Sequence, residues 1–161
     1  MFERIVLAVD SPDQARGAVA AAVDLATKSR GEVLIVHVHD TWLVSRQTVD
    51  LKTHDEARSL SAALLEAVLD VVRKEALRGR RGLRVAQAAG VAREIVHAAT
   101  DFGADTIVLG SRGLGGFAGL PLGSVAYRVI QLADCPVVVA RAAAASAAAR
   151  DRNERQTTSA A

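Results

Sequence analysis

Apolar residues fall along this chain in short continuous runs, separated by longer stretches in which they recur every three or four positions. "RIVLAVD" (Arg4 to Asp10) is the first run and predicts a strand covered on both faces. Behind it Ser11 offers an N-cap and Pro12 a first helical position, where its missing N–H does no harm. Ala15, Ala18, Val19, Ala22, Leu25 and Ala26 then share one helical face, and Gly31 is placed to end that helix. "EVLIVHVHD" (Glu32 to Asp40) predicts the second strand. From Thr41 to His54 the periodicity fails, which reads as a loop with at most a short helical piece. A long helix resumes near Asp55 through Leu60, Leu64, Ala67, Val68, Val71 and Val72, with Gly79 at its end. "LRVAQAA" (Leu83 to Ala89) alternates like a half-exposed edge strand. Arg93 to Phe102 predicts a helix stopped by Gly103, and "DTIVLG" (Asp105 to Gly110) a fourth strand. Ser124 to Ala133 predicts the last helix and "CPVVVAR" (Cys135 to Arg141) the fifth strand.

Strict alternation of strand and helix predicts an α/β fold: an open five-stranded parallel sheet, joined by right-handed crossovers, with helices on both faces. In such sheets ligands bind where strand carboxyl ends diverge at a topological switch point. Asp10 and Gly110 end the first and fourth strands, so if those strands are neighbours both residues face one crevice. After Arg141 the chain turns alanine-rich and lacks an apolar face large enough to dock. The expectation is one domain over residues 1–141 and a frayed or disordered tail over 142–161.

Composition narrows the classes. With 161 residues and half of them hydrophobic, the chain can bury one real core. Its 20 Lys and Arg residues are scattered among acids, and the net charge is only +2. The dense basic run "LRGRRGLR" (Leu77 to Arg84) has few aromatics near it to stack bases, so it reads as a solvated helix end and not as a nucleic-acid contact. A single cysteine, Cys135, cannot form an internal disulfide and suits a reducing cytosol. There is no leader-like start, and no apolar stretch approaches the ~20 residues of a membrane span. A cytoplasmic location is expected.

"GSRGLGGFAGLPLGS" (Gly110 to Ser124) carries the candidate chemistry: six glycines and one charge between a strand and a helix. Such a loop lets backbone approach a ligand closely, at a cost in ordering entropy. A Walker loop is excluded, because no lysine precedes Ser124. The dinucleotide pattern GxGxxG/A occurs from Gly113 to Ala118, but it follows the fourth strand instead of the first. The next acid, Asp134, precedes a strand where that pattern wants one ending it. A third pattern is Gly110-x2-Gly113-x9-Gly123-Ser124. Together with "RIVLAVD", "HVHD", "ADTIVLGSRG" and "CPVVVAR", it makes the chain resemble the ATP-binding universal stress proteins from about Phe2 to Arg141.

The resemblance implies an adenine nucleotide alpha hydrolase-like sheet in the order 3-2-1-4-5, and a stress-response regulatory protein that binds ATP, with or without Mg²⁺. Carried over by position, it places Ala8, Val9 and Asp10 beside the adenosine, Val38 with its backbone at the adenine edge, and Leu109 packed on the nucleotide. Gly110, Arg112, Gly113, Gly123, Ser124 and Val125 match the ribose-phosphate segment. The loop's physics agrees with that assignment. A helix start carries unpaired N–H groups and partial positive charge, which hold an anion without lysine. The chain departs from the family at "SPD" after Asp10, where Asp13 adds negative charge near the phosphates. The resemblance also implies a homodimer paired through strand five (Pro136 to Ala140). Two alternatives stay open: a slow ATPase or autophosphorylating enzyme on the same fold, and a ligand-free dimeric interaction module.

The remaining chemistry-bearing residues read as structural. His37 and His39 share a strand face beside Asp40, but no third ligand completes a metal site, so packed or hydrogen-bonded histidines are expected. Nothing around Cys135 would lower its pKa, and no catalytic triad or carboxylate pair converges on the loop.

Overall fold

The computed structural model describes residues 1–10, 12–40, 51–74, 78–86, 90–111 and 122–141. Its elements are β1 (Arg4–Ala8), α1 (Pro12–Ser29), β2 (Glu32–Asp40), α2 (Leu51–Lys74), β3 (Arg78–Ala86), α3 (Val91–Phe102), β4 (Thr106–Gly110), α4 (Ser124–Leu132) and β5 (Val137–Ala140). The strands pair in parallel in the order β3-β2-β1-β4-β5. Near its carboxyl end β1 sets Ala8 opposite Val36 of β2 on one side and Leu109 of β4 on the other. The chain builds outward from β1 through β2 to β3, then returns to β4 and builds toward β5. The switch point therefore lies between β1 and β4.

Alternation along the buried strands sends side chains to two cores. Ile5, Leu7, Val33, Ile35 and Val108 meet α1 and α2 on one face. Val6, Val36, Ile107 and Leu109 meet α3 and α4 on the other. Helix α1 presents a seam of Ala15, Ala18, Ala22 and Ala26, each at most 3% exposed. Side chains that small let the helix axis lie close over the sheet.

Several sequence expectations change here. The long helix starts at Leu51, inside the stretch read as a loop, while residues 41–50 lie outside the described set. Its buried face is Ser61, Leu64, Leu65, Val68, Leu69 and Val72, with Leu60 73% and Val71 43% exposed. More apolar residues occur on α2 than one face can hold, and packing chose the stripe rich in leucine and valine over the one containing Ala67. The third strand starts at Arg78, five residues before the predicted Leu83, and ends at Ala86. The basic run is thus strand for most of its length, not a helix end. Pairing with β2 from Glu32↔Arg78 to Asp40↔Ala86 uses backbone groups, which place no demand on side-chain polarity. The fifth strand is shorter than "CPVVVAR", running only from Val137 to Ala140.

At the amino ends of the strands the chain is tied by a local network. Glu32 N–H donates to the Glu3 carbonyl (2.7 Å) and Asp105 N–H to the Arg4 carbonyl (2.9 Å). Glu3 N–H donates to Asp105 Oδ2 (2.9 Å), and the Thr106 hydroxyl to Asp105 Oδ1 (3.1 Å). The Ser29 hydroxyl bridges the carbonyls of Leu25 and Phe2. Helix α1 ends with Arg30, not Gly31, in the left-handed region (φ 57°). Gly31 is glycine for another reason: a Cβ there would stand 2.5 Å from the Phe2 carbonyl oxygen.

Candidate functional site

The carboxyl ends of β1 and β4 lie side by side, and the residues singled out from sequence gather around them unequally. Ala8, Val38 and Leu109 pack into the core under α3 and α4, together with Leu122 and Ala126. They form an apolar floor on one side of the switch point. Val9 points the opposite way, into the core under α1 and α2, so the segment can offer a ligand only its main chain there. Asp10 follows, half-buried, just past the end of β1. Gly110 is the last residue of β4. Arg112 and Gly113 lie outside the described residues.

The glycine-rich segment is closed at its neck. Ser111, 8% exposed, donates its N–H to the Ala140 carbonyl of β5 (2.7 Å). Its own carbonyl accepts from Gly123 N–H, also at 2.7 Å. The loop therefore leaves and returns at one point, and α4 starts at the carboxyl end of β4. The Gly123 N–H is thus occupied within the fold, and the N–H groups that follow it are the ones without intrahelical acceptors. The φ of Gly123 is −73°, open to any residue, so only close approach argues for glycine there.

Beyond Gly123, no side chain among the described residues caps the helix start, and its first turn contains no acid. The first intrahelical bond, Tyr127 N–H to the Gly123 carbonyl (2.9 Å), leaves the N–H groups of Ser124, Val125 and Ala126 ahead of it without intrahelical acceptors. Ser124 and Val125 are exposed. An anion of matching size would satisfy these donors and the positive end of the helix dipole together. Helix α3 differs: its first turn carries Glu94, which already supplies negative charge.

One contact crosses from β2 to the end of β1. His37 donates from Nδ1 to the Val9 carbonyl at 2.8 Å, tying β2 to the segment that carries Asp10. A hydrogen-bonded histidine is what the sequence leads one to expect here; its partner, a carbonyl 28 residues away, is what the fold adds. Among the described residues, no group of three His, Cys, Asp or Glu could hold a metal ion. Cys135 is half-buried, and burial together with the carboxylates of Asp105 and Asp134 pushes its thiol pKa up, which keeps it protonated. Among the described residues no helix is long and apolar enough to cross a membrane.

Residues 1–141 match the model of the universal stress protein family. The chain belongs to that family. The universal stress protein YxiE of Bacillus subtilis is 32% identical over 148 residues, covering 88% of this chain and all of YxiE. A universal stress protein of Archaeoglobus fulgidus, solved in complex with dAMP, superposes with a TM-score of 0.62 at 26% identity, over 85% of this chain and 96% of its own. A universal stress protein solved in complex with cAMP superposes with a TM-score of 0.65 over 88% of this chain and 98% of its own; at 21% identity that likeness speaks to the fold.

Proposed function

We propose that this universal stress protein binds an adenine nucleotide, ATP, at the β1–β4 switch point and acts as a nucleotide-responsive regulator in stress. The observation that carries the reading is the start of α4, whose first N–H groups have no intrahelical acceptors and whose first turn has no acid, beside the ends of β1 and β4. The phosphates lie against Ser124 and Val125, with Arg112 and Gly113 supplied by the loop. The nucleoside lies over the floor of Ala8, Val38 and Leu109, with Asp10 on the ribose or base. The Archaeoglobus fulgidus relative solved with dAMP supports the adenine part of this reading.

The residues present suit this ligand in kind. Phosphate charge meets backbone donors, and the apolar floor suits a purine ring. In this reading the function is binding, with turnover slow at most. Gly123→Val should abolish the site, because a β-branched side chain would stand where the phosphates approach. Calorimetry is expected to show ATP binding to the wild-type protein and at least ~100-fold weaker binding to the variant. Unchanged affinity in a folded variant would remove the loop from the site.

The assembly we propose is a homodimer through β5. That strand ends the sheet, pairs only with β4 among the described strands, and is an uncharged run of half-buried valines. An edge of this kind is a template for another chain. Val138→Lys should halve the mass seen by light scattering, since a charge would be buried at a two-fold contact. A monomeric wild-type protein at tens of micromolar would defeat the dimer.

A further inference from the structure

The parallel ladder between β1 and β2 runs the whole of β1 and stops while β2 continues to Asp40. Its last register pair is Ala8↔Val36, closed by Val9 N–H donating to the Val36 carbonyl at 2.9 Å. Alternate residues of a strand direct their main-chain groups to opposite neighbours, so Val38, like Val36, directs its N–H toward β1. The next rung would run from Val38 N–H to the Val9 carbonyl. Among the described residues that bond is not made. The Val9 carbonyl is met instead by the imidazole of His37, with Nδ1 at 2.8 Å. A carbonyl oxygen can only accept, so Nδ1 carries the proton.

The substitution of a side chain for a rung has two consequences. The Val9 carbonyl is satisfied although β1 leaves the sheet at that point, so the strand can part from β2 without stranding an acceptor. Meanwhile β2 does not fray, because β3 pairs with it on the far side through Val38↔Arg84, His39↔Val85 and Asp40↔Ala86. The Val38 N–H is thereby left free of β1 while its strand is held firm from behind. A rigid, unpaired donor at a strand end suits a ring nitrogen that accepts, such as those of adenine. Hypoxanthine carries a proton on N1, where adenine presents a lone pair.

We propose that His37 is a positioning residue of the nucleoside site: by taking the Val9 carbonyl, it keeps the Val38 N–H unpaired and available to a purine ring nitrogen. The inference rests on the nucleotide reading for its purpose, but not for its mechanism. His37→Leu removes the donor while leaving an apolar side chain of similar reach. His37→Asn sets an amide nitrogen in the place of Nδ1.

The test has two arms. In the nucleotide-free full-length protein, hydrogen exchange followed by NMR should find the Val38 amide exchanging far faster than that of Val36. In His37→Leu the freed carbonyl should draw in the Val38 N–H and slow its exchange at least ~tenfold, while His37→Asn restores the fast rate. In calorimetry His37→Leu should weaken ATP and adenosine by about tenfold and leave inorganic tripolyphosphate unchanged, and His37→Asn should stay within about threefold of wild type. A Val38 exchange rate indifferent to His37→Leu would overturn the proposal. So would equal losses for ATP and tripolyphosphate, the mark of a purely structural residue. If the wild-type protein takes no adenine nucleotide, the reading of the site falls, and the exchange arm still decides what His37 does.

Discussion

At the amino ends of β1 and β4 the backbone is tied on several sides, whereas at their carboxyl ends it is left open. Asp105 gathers the Glu3 N–H and the Thr106 hydroxyl, and the amino terminus stands 3.8 Å from its Oδ2. At the same end Phe2 and Arg30 adopt left-handed backbone conformations (φ 66° and 57°) that bulky residues avoid. At the other end, Ser111 fastens the neck of the glycine loop to β5 and to Gly123, and the next N–H groups of α4 are uncapped. The contrast separates two uses of polar backbone. One end spends its donors within the fold, and the other leaves the first N–H groups of α4 without intrahelical acceptors, where we propose that a ligand binds.

Breaking the tied end should cost the fold. Gly31→Val would drive a Cβ to 2.5 Å from the Phe2 carbonyl, a backbone atom that cannot step aside cheaply. A loss on the order of 3 kcal/mol is expected in chemical denaturation, with ATP affinity of the remaining folded protein unchanged. Gly123→Val is the opposite case. Its φ of −73° is open to valine, so stability should change by less than ~1 kcal/mol while nucleotide binding is lost. If both variants unfolded the protein alike, the two ends would not be specialised as described.

A smaller effect sharpens the comparison through pH. Burial raises the Asp105 pKa, but the N–H groups of Glu3 and Arg4, the Thr106 hydroxyl and the amino terminus outweigh it, and the carboxyl lies below its usual range. The unfolded chain then binds the proton more readily, so this contribution is complete above the ordinary carboxylate pKa and disappears as pH falls through the folded value. Asp105→Asn should cost roughly 1 kcal/mol near neutrality, allowing for solvent screening of a side chain 34% exposed. Urea denaturation over an acid pH series should show a shallower decline for the variant. Parallel curves would take Asp105 out of the acid response.

What the chain determined by itself is the order of its elements, the place of the glycine segment between β4 and α4, and the residues that crowd the switch point. These are local signals: apolar runs mark buried strands, and spacing of three and four marks helices. Tertiary structure decided the rest, because each remaining feature depends on a partner distant in sequence. Only the sheet could show that Arg78 to Gly82 join an edge strand, since backbone pairing to β2 ignores their charge. Only packing could choose Leu65 and Leu69 over Leu60 and Val71 on α2. Ser111 had no feature marking it as the clasp on Gly123, and His37 none marking it as the donor to Val9. Periodicity records which face a residue prefers; a hydrogen bond across the fold depends on register, which strands acquire only by lying side by side.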